Sequence, residues 1–292
     1  MQKLIIEARV SGQREANPHA PYSPEEIADA AVECWQKGAS IVHYHARDPK
    51  TGKPSSDPQL YADTVRRISQ KCDLITMPTL GASLLDTAEE RVAHILQMAK
   101  DSATKPDCVP VDMVTTNLDR YDPKLKDFTT GDHVYLNTTN MLKHICQAVR
   151  AVGVKPVSMI WDVPGVRLTE AFIDMGLYDD NPLYCELPLF AEDFIIAGHP
   201  GTLRGLQALL DFFPFGANWQ WVVNVVGGNS LPLLAGAIGN GGHVAIGLED
   251  SPWEEFGRPS NGELVTRVVD IARSMGREIA TPTEARQMLG FI

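Results

Sequence analysis

Two histidines stand one residue apart in "IVHYHARDP", and His43 and His45 lie in a run that reads as a buried β-strand. Side chains alternate faces along a strand, so both rings must point the same way. Two neutral imidazoles buried side by side need partners for their ring nitrogens, and leaving those atoms bare costs stability. A shared metal ion would serve both. Two imidazoles do not fill a typical shell, so a third ligand must come from a strand nearby. "GLED" offers Glu249 and then Asp250 at the end of another strand-like run. The set His43, His45 and Glu249, with positions left open for substrate, suits Zn²⁺ best. The plainer alternative puts one histidine on a backbone carbonyl and pairs Glu249 with Arg47.

The elements that must position these groups alternate along the chain. "KLIIEARV" precedes a helix in which Ser23 and Glu26 have capping-box spacing and Gly38 is the stop. "SIVHYHA" is followed by a helix from about Asp57 to Gln70, and "LITMPT" by a helix opening at Asp86 with Glu89 three residues on. "VDMVTTN" leads into a loop-rich stretch, "LDRYDPKLKDFTTGDHVYLN", and then a helix near "NMLKHICQAVRAVG". The remaining units are "KPVSMIWDV" with a helix near residues 166–176, "PLYCELPLF" with "TLRGLQALLDFF", "WQWVVNVV" with "LPLLAGAIG", and "HVAIGLE" with "ELVTRVVDIARSMG". Eight strand-then-helix units predict a parallel sheet closed into a (β/α)8 TIM barrel, as one domain over residues 1–292. An open doubly wound sheet is the alternative, but "RVSGQREANP" lacks the glycine-rich phosphate turn expected after its first strand. Barrel chemistry sits at the C-terminal ends of the strands, which is where the histidine pair falls. Closure brings strand eight beside strand one, hence close to strand two.

Composition narrows the partners. The chain has 292 residues, 44% hydrophobic and 22% charged, with a formal net charge of −11. That balance argues against nucleic acid or an anionic membrane surface, both of which need clustered Lys and Arg. No apolar stretch approaches the roughly 20 residues of a membrane helix. The start, "MQKLIIEARV", lacks the features of an export signal, and five scattered cysteines show no C-x-x-C spacing. A cytoplasmic location is expected. The apolar segments "FIIAG" and "LLDFFPFG" are candidate contacts for a homo-oligomer if exposed.

The chain resembles the β-keto acid cleavage enzymes, typified by 3-keto-5-aminohexanoate cleavage enzyme. The matching segments include "PYSPEEIADAAVECWQKGASIVHYHARD", "DTAEERV", "VDMVTTN", "VGVKP", "GGHVAIGLED" and "NGELVTRVVDIARSMGREIATPTEARQMLG", in order over nearly the whole length. The resemblance implies a (β/α)8 barrel with Zn²⁺ on His43, His45 and Glu249. It implies a reversible Claisen-type reaction between a β-keto acid and acetyl-CoA, giving acetoacetate and a new CoA thioester. Zinc suits this reaction because it polarises a carbonyl and stabilises charge building on oxygen. Asp250 matches the family's general base. Thr79 and Thr115, at strand ends, match hydroxyl residues that would hold the substrate carboxylate or orient Asp250, unless they are ordinary strand threonines. Arg47 matches a family arginine, with a structural salt bridge to Asp48 or Asp162 as its alternative. Met159 and Asn117 are the expected substrate contacts.

Departures from the family pattern are equally informative. Where the family carries an arginine four residues before the strand-eight glutamate, this chain has Ala245, and Gly228 replaces a second arginine after strand seven. The glycine-rich loop after strand six becomes "PLFAEDFIIAG", whose Glu192 and Asp193 would repel CoA phosphates. Met159 stands where the aminated-substrate enzyme has a glutamate, so an unaminated keto acid is expected. Arg14, Arg47 or Arg204 are the candidates to supply the missing charge. Three readings follow: acetyl-CoA-dependent β-keto acid cleavage, a zinc-dependent lyase or hydrolase of the same family working without CoA, and a non-catalytic metal-binding barrel. A purely structural zinc would not need Asp250 beside it, and acetyl-CoA dependence separates the first two.

Overall fold

The computed structural model describes residues 2–80, 85–178, 181–191 and 195–291. Eight strands carry the barrel: β1 Ile6–Arg9, β2 Ile41–Tyr44, β3 Ile75–Pro78, β4 Cys108–Asp112, β5 Lys155–Met159, β6 Leu183–Phe190, β7 Trp219–Val226 and β8 His243–Ile246. They form one parallel sheet in the order β3-β2-β1-β8-β7-β6-β5-β4. The two ends of this order meet where the Asp107 N–H donates to the Thr76 carbonyl at 3.2 Å. The architecture is therefore the (β/α)8 barrel that the alternation predicts.

Period-two alternation sorts each strand into an inner and an outer face. Along β1, Leu4, Ile6, Ala8 and Val10 pack outward with Ala28 and Ala31 of the first helix. Ile5 points inward, packing with Ile41, Ile75, Val157 and Ala245. Glu7 and Arg9 share that inner face. The outer layer comprises α1 Pro24–Lys37, α2 Pro58–Lys71, α3 Ala88–Met98, α4 Thr139–Ala151, α5 Val163–Asp174, α6 Leu203–Leu210, α7 Leu231–Gly239 and α8 Asn261–Ser274. A ninth helix, α9 Pro282–Met288, was not foreseen; its Ala285 and the following Leu289 join the inner cluster and close the barrel.

Local signals set most helix ends. Ser23 and Glu26 form the expected capping box, and Gly38 ends α1 at φ 118°, a conformation that suits glycine. The third helix starts one residue later than its sequence suggests. Thr87, not Asp86, is the N-cap, because its hydroxyl accepts the Glu90 N–H while Glu90 caps back. The fifth helix starts earlier, capped by Asp162 ahead of Pro164. The stretch read as loop between β4 and α4 is a folded arm. Residues 116–117 pair with 134–135, and 121–122 with 127–128, both antiparallel. No helix among the described residues is long and apolar enough to cross a membrane.

Candidate active site

β1 lies between β2 and β8, with Arg9 in register with His43 and Glu7 with Ala245. This topology brings the histidine strand and the glutamate strand to either side of Arg9. The close approach of β8 to β1 depends on Gly247, where a Cβ would meet the Arg9 carbonyl oxygen at 1.9 Å. It lets the Glu249 N–H donate to that carbonyl at 3.2 Å.

His43, His45 and Glu249 converge, each offering a ligand atom within 4.8 Å of the others. Nε2 of His43 and Nε2 of His45 both lie 3.4 Å from the same oxygen, Glu249 Oε1. In a tetrahedral zinc site with bonds of about 2.1 Å, neighbouring ligand atoms are about 3.4 Å apart. Burial lowers the His43 imidazole below its ordinary value despite the pull of Glu249, which favours the neutral ring that ligates metal. Burial pushes the Glu249 carboxyl up, but Arg9, His43 and His45 outweigh it and hold it well below the usual carboxylate range. Glu249 Oε2 and His43 Nδ1 are buried without a hydrogen-bond partner. The donor set and spacing fit a divalent cation.

Arg9, which sequence reasoning missed, is the hub. Its Nη2 donates to Glu249 Oε1 at 2.5 Å, and its Nη1 donates to Glu7 Oε1 at 3.1 Å and Glu186 Oε2 at 3.3 Å. Its Nε lies 3.3 Å from Asp250 Oδ1. Burial, reinforced by Glu7, raises the Glu186 carboxyl well above its usual range, so Glu186 keeps its proton. The Tyr184 hydroxyl donates to Glu7 at 2.9 Å. Four carboxyl groups, those of Glu7, Glu186, Glu249 and Asp250, thus face one guanidinium, and a divalent cation would offset the negative charge that remains even with Glu186 protonated.

Asp250 is held by one oxygen and open at the other. Oδ1 accepts from Asn224 Nδ2 at 2.8 Å, while Oδ2 is buried and without a partner. Burial raises its carboxyl to about 7, against the lowering pull of Arg9.

Two cavities open on this cluster. One, of about 320 Å³, mixes polar and apolar lining, with Asn17, Arg47, Glu249 and Asp250 beside Leu248 and Pro252. The other, of about 520 Å³, runs from Arg9 past Met159, Trp161, Pro188, Phe190 and Val226. Arg120, on the arm, lines both.

The other predicted residues divide. Met159 lines the larger cavity and Arg47 the smaller. Neither expected salt bridge of Arg47 forms, nor its pairing with Glu249. Its Nη1 donates to the Gly52 carbonyl at 2.7 Å, Asp162 is spent capping α5, and Arg9 takes Glu249. Thr79 is buried just past β3, its N–H donating to the Tyr44 carbonyl between the two histidines. Thr115 is not brought to the cluster. Its hydroxyl donates to the Asn137 carbonyl and accepts the Asn137 N–H, both at 2.9 Å, clasping the base of the arm. Asn117 sits exposed on the arm beside Val134 and is not among the described residues lining either cavity. Arg14 pairs with Glu26, and Arg204 is exposed on α6, so neither supplies the missing charge. Gly228 adopts φ 62°, a conformation that would strain an arginine. Glu192 and Asp193 lie outside the described residues. Ile196, Phe212 and Phe215 in the two apolar segments are exposed.

Known proteins share this architecture and sequence. The family model for beta-keto acid cleavage enzyme matches residues 3–291. A 3-keto-5-aminohexanoate cleavage enzyme from Acetoanaerobium sticklandii is 33% identical over all of this chain and 99% of its own length. A 3,5-dioxohexanoate:acetyl-CoA acetone transferase from Paraburkholderia graminis is 29% identical over 99% of this chain and 96% of its own. Among solved structures, apo ObcA superimposes with a TM-score of 0.71 at 17% identity, covering 94% of this chain. The chain spans 66% of ObcA's length, and that likeness is one of fold.

Proposed function

The chain belongs to the β-keto acid cleavage enzyme family, and from that premise we propose that it is a zinc-dependent enzyme joining an unaminated β-keto acid to acetyl-CoA. The products are acetoacetate and the CoA thioester of the substrate's acyl part. The observation that carries this reading is the pair of equal 3.4 Å distances from two histidines to one Glu249 oxygen, with the unpartnered Asp250 Oδ2 next to them. Zinc, held by His43, His45 and Glu249, would polarise the keto acid's carbonyl.

The protein's own groups do the rest. Asp250, fixed by Asn224 and Arg9 through Oδ1, takes a proton from the carbon between ketone and carboxylate at Oδ2. The resulting carbanion attacks the thioester carbonyl and CoA thiolate leaves. The thiolate then adds to the substrate's ketone, the carbon–carbon bond breaks, and Asp250 returns its proton to the departing acetoacetate. Arg9 sits where negative charge develops on oxygen, which makes it the candidate to stabilise that charge. Arg47 lines the smaller cavity, the more polar of the two and the one assigned to the co-substrate, and Thr79 flanks the histidines. The relatives' acetyl-CoA transfer supports the choice of co-substrate. We place the enzyme in the cytoplasm as a homo-oligomer, a reading supported by the free thiols and the exposed Ile196 and Phe215.

The test is a panel of β-keto acids with zinc-loaded protein, with and without acetyl-CoA, read as acetoacetate and new acyl-CoA by mass spectrometry. Products only when acetyl-CoA is present support the reading; cleavage without it points to the CoA-independent lyase. Replacing His43 and His45 together with alanine should remove bound zinc and leave the barrel folded. Undiminished zinc in that variant would sink the ligand assignment.

A further inference from the structure

The larger cavity carries information about the substrate that the reaction alone does not. Its deep end is Arg9, which also contacts Glu249, so it is continuous with the site of reaction. Beyond Arg9 the barrel side of the wall turns apolar, with Met159 from the end of β5, Pro188 and Phe190 from β6, Val226 from β7, and Trp161. The exposed arm closes the mouth with Leu118, Arg120, Thr129, Thr130 and His133. Trp161 is not free to swing away. Its indole N–H donates to Asp112 Oδ1 at 2.8 Å, and the other Asp112 oxygen accepts the Tyr135 hydroxyl at 2.6 Å. The ring lies against Phe190 with centroids 4.8 Å apart and against Tyr135 at 5.9 Å. Spacings of this size are those of favourable aromatic packing.

We propose, building on the acetyl-CoA-dependent reading above, that this chamber holds the tail of the β-keto acid and selects an uncharged apolar tail, aryl-ended in preference to short alkyl. The tail points away from the metal ligands, past Arg9, and lies along the Trp161–Phe190 wall. Asp112 is a positioning residue: it touches no substrate but locks both aromatic donors, so the wall is formed before the tail arrives. Neither an ammonium nor a carboxylate fits the deep half. Met159, Pro188, Phe190 and Val226 offer no hydrogen bond, the indole N–H beside them is already spent on Asp112, and the polar lining residues beyond Arg9, namely Arg120, Thr129, Thr130 and His133, sit on the exposed arm at the mouth. The predominantly apolar barrel side disfavours the amide-bearing arm of CoA, which the smaller cavity beside Arg47 and Asp250, the more polar of the two, suits better. At about 520 Å³ the chamber falls in the range of roughly 300–1,000 Å³ that binds drug-sized molecules, ample for a phenyl tail.

The experiment compares 3-oxo-5-phenylpentanoate, 3-oxopentanoate, 5-amino-3-oxohexanoate and 3-oxoadipate on the zinc-loaded full chain with acetyl-CoA. The phenyl-tailed acid should exceed the amino-tailed and carboxylate-tailed acids in kcat/KM by about 100-fold or more. Trp161→Ala should cost the phenyl-tailed acid about tenfold, chiefly in KM, while 3-oxopentanoate stays within about threefold. Asp112→Asn should move KM in the same direction with kcat largely kept, and a change in kcat alone would remove its positioning role. Binding is read separately by titrating 3-oxo-5-phenylpentanoate without acetyl-CoA. Tryptophan fluorescence should change, and Trp161→Phe should abolish the change. A preference for either charged tail, or an unaffected Trp161→Ala, overturns the proposal. So does a fluorescence change produced by acetyl-CoA and competed by the phenyl acid, since the chamber would then hold the CoA arm. If no keto acid turns over but the Trp161-dependent signal is present, the reaction assignment fails and the chamber assignment stands.

Discussion

Arg9 should be the side chain whose loss is felt most widely. Arg9→Met keeps most of the length and removes a guanidinium that touches Glu7, Glu186, Glu249 and Asp250 at 2.5–3.3 Å. Removing one partner of a buried ion pair costs about 3–5 kcal/mol, because the other charge is left uncompensated. The orphaned carboxyls relieve part of that by taking up protons, so the lower end applies. At about 2–4 °C per kcal/mol for a large domain, the melting temperature should fall on the order of 10 °C. Removing one preorganised charge from the reacting oxygen should lower kcat/KM by about 100-fold. Ala245 provides the control. It is buried beside Glu7, in the row next to Arg9, so Ala245→Arg alone should crowd the site and destabilise. In an Arg9→Ala background the new arginine can reach the vacated carboxylates. The double variant should be better than additivity by about 2 kcal/mol. Calorimetry and steady-state kinetics on the four members of this cycle check it. A strictly additive cycle, or an Arg9→Met enzyme within 1 °C and threefold of the parent, would refute the account of Arg9 as the hub.

Gly247→Ala should push the end of β8 off the Arg9 carbonyl and misplace Glu249; chelator competition should find zinc held about tenfold more weakly or worse. Thr115→Val removes the clasp to Asn137 but no group at the cluster, so it should cost about 1 kcal/mol in urea denaturation and leave kcat/KM within threefold. Burial, with Arg277 beside it, lowers His243 to about 3. Its Nδ1 already accepts the Ile5 N–H at 3.1 Å, and its Nε2 faces Gln220. The folded state resists a proton that the unfolded chain takes up near its ordinary 6.5, so the stabilisation is present above that pH and is lost as pH falls toward 3. From pH 7 to 4.5 the loss from this one group should be about 2–3 kcal/mol. His243→Asn should flatten the stability profile over that window, and an unchanged slope would mean His243 is not the source.

Much of the fold was legible because the barrel repeats one simple relation. Each apolar run is followed by an amphipathic stretch with its own start signal, as in Ser23 with Glu26 or Asp57 ahead of Pro58. The arm between β4 and α4 was not legible. Its paired segments are two residues long, too short for alternation to show, and Thr115 and Asn137 knit its base through the backbone. The convergence of His43, His45 and Glu249 was legible because H-x-H at a strand end and an acid on the strand that closure brings near leave few geometries. The alternative of an Arg47 salt bridge did not hold, because the tight turn at residues 48–53 offers the guanidinium the Gly52 carbonyl instead.

Arg9 was hidden by a rule that holds in open sheets and inverts in closed ones. In "LIIEARV" the polar residues fall at alternate positions, which on a sheet wet on one side reads as the solvent face. A (β/α)8 barrel has no such face. Its outer side is covered by helices and must be apolar, as Leu4, Ile6, Ala8 and Val10 are. The alternate positions then point into the barrel, and any charge among them is buried and must be matched there. Once closure is granted, Glu7 and Arg9 can only be inside. The same step recovers Glu186 in "YCELPLF" and Asn224 in "WVVNVV", each a polar residue within an apolar strand and each bound to the cluster. Charges that look like surface decoration in the pattern are the groups this barrel uses to hold an acidic, metal-ready centre together.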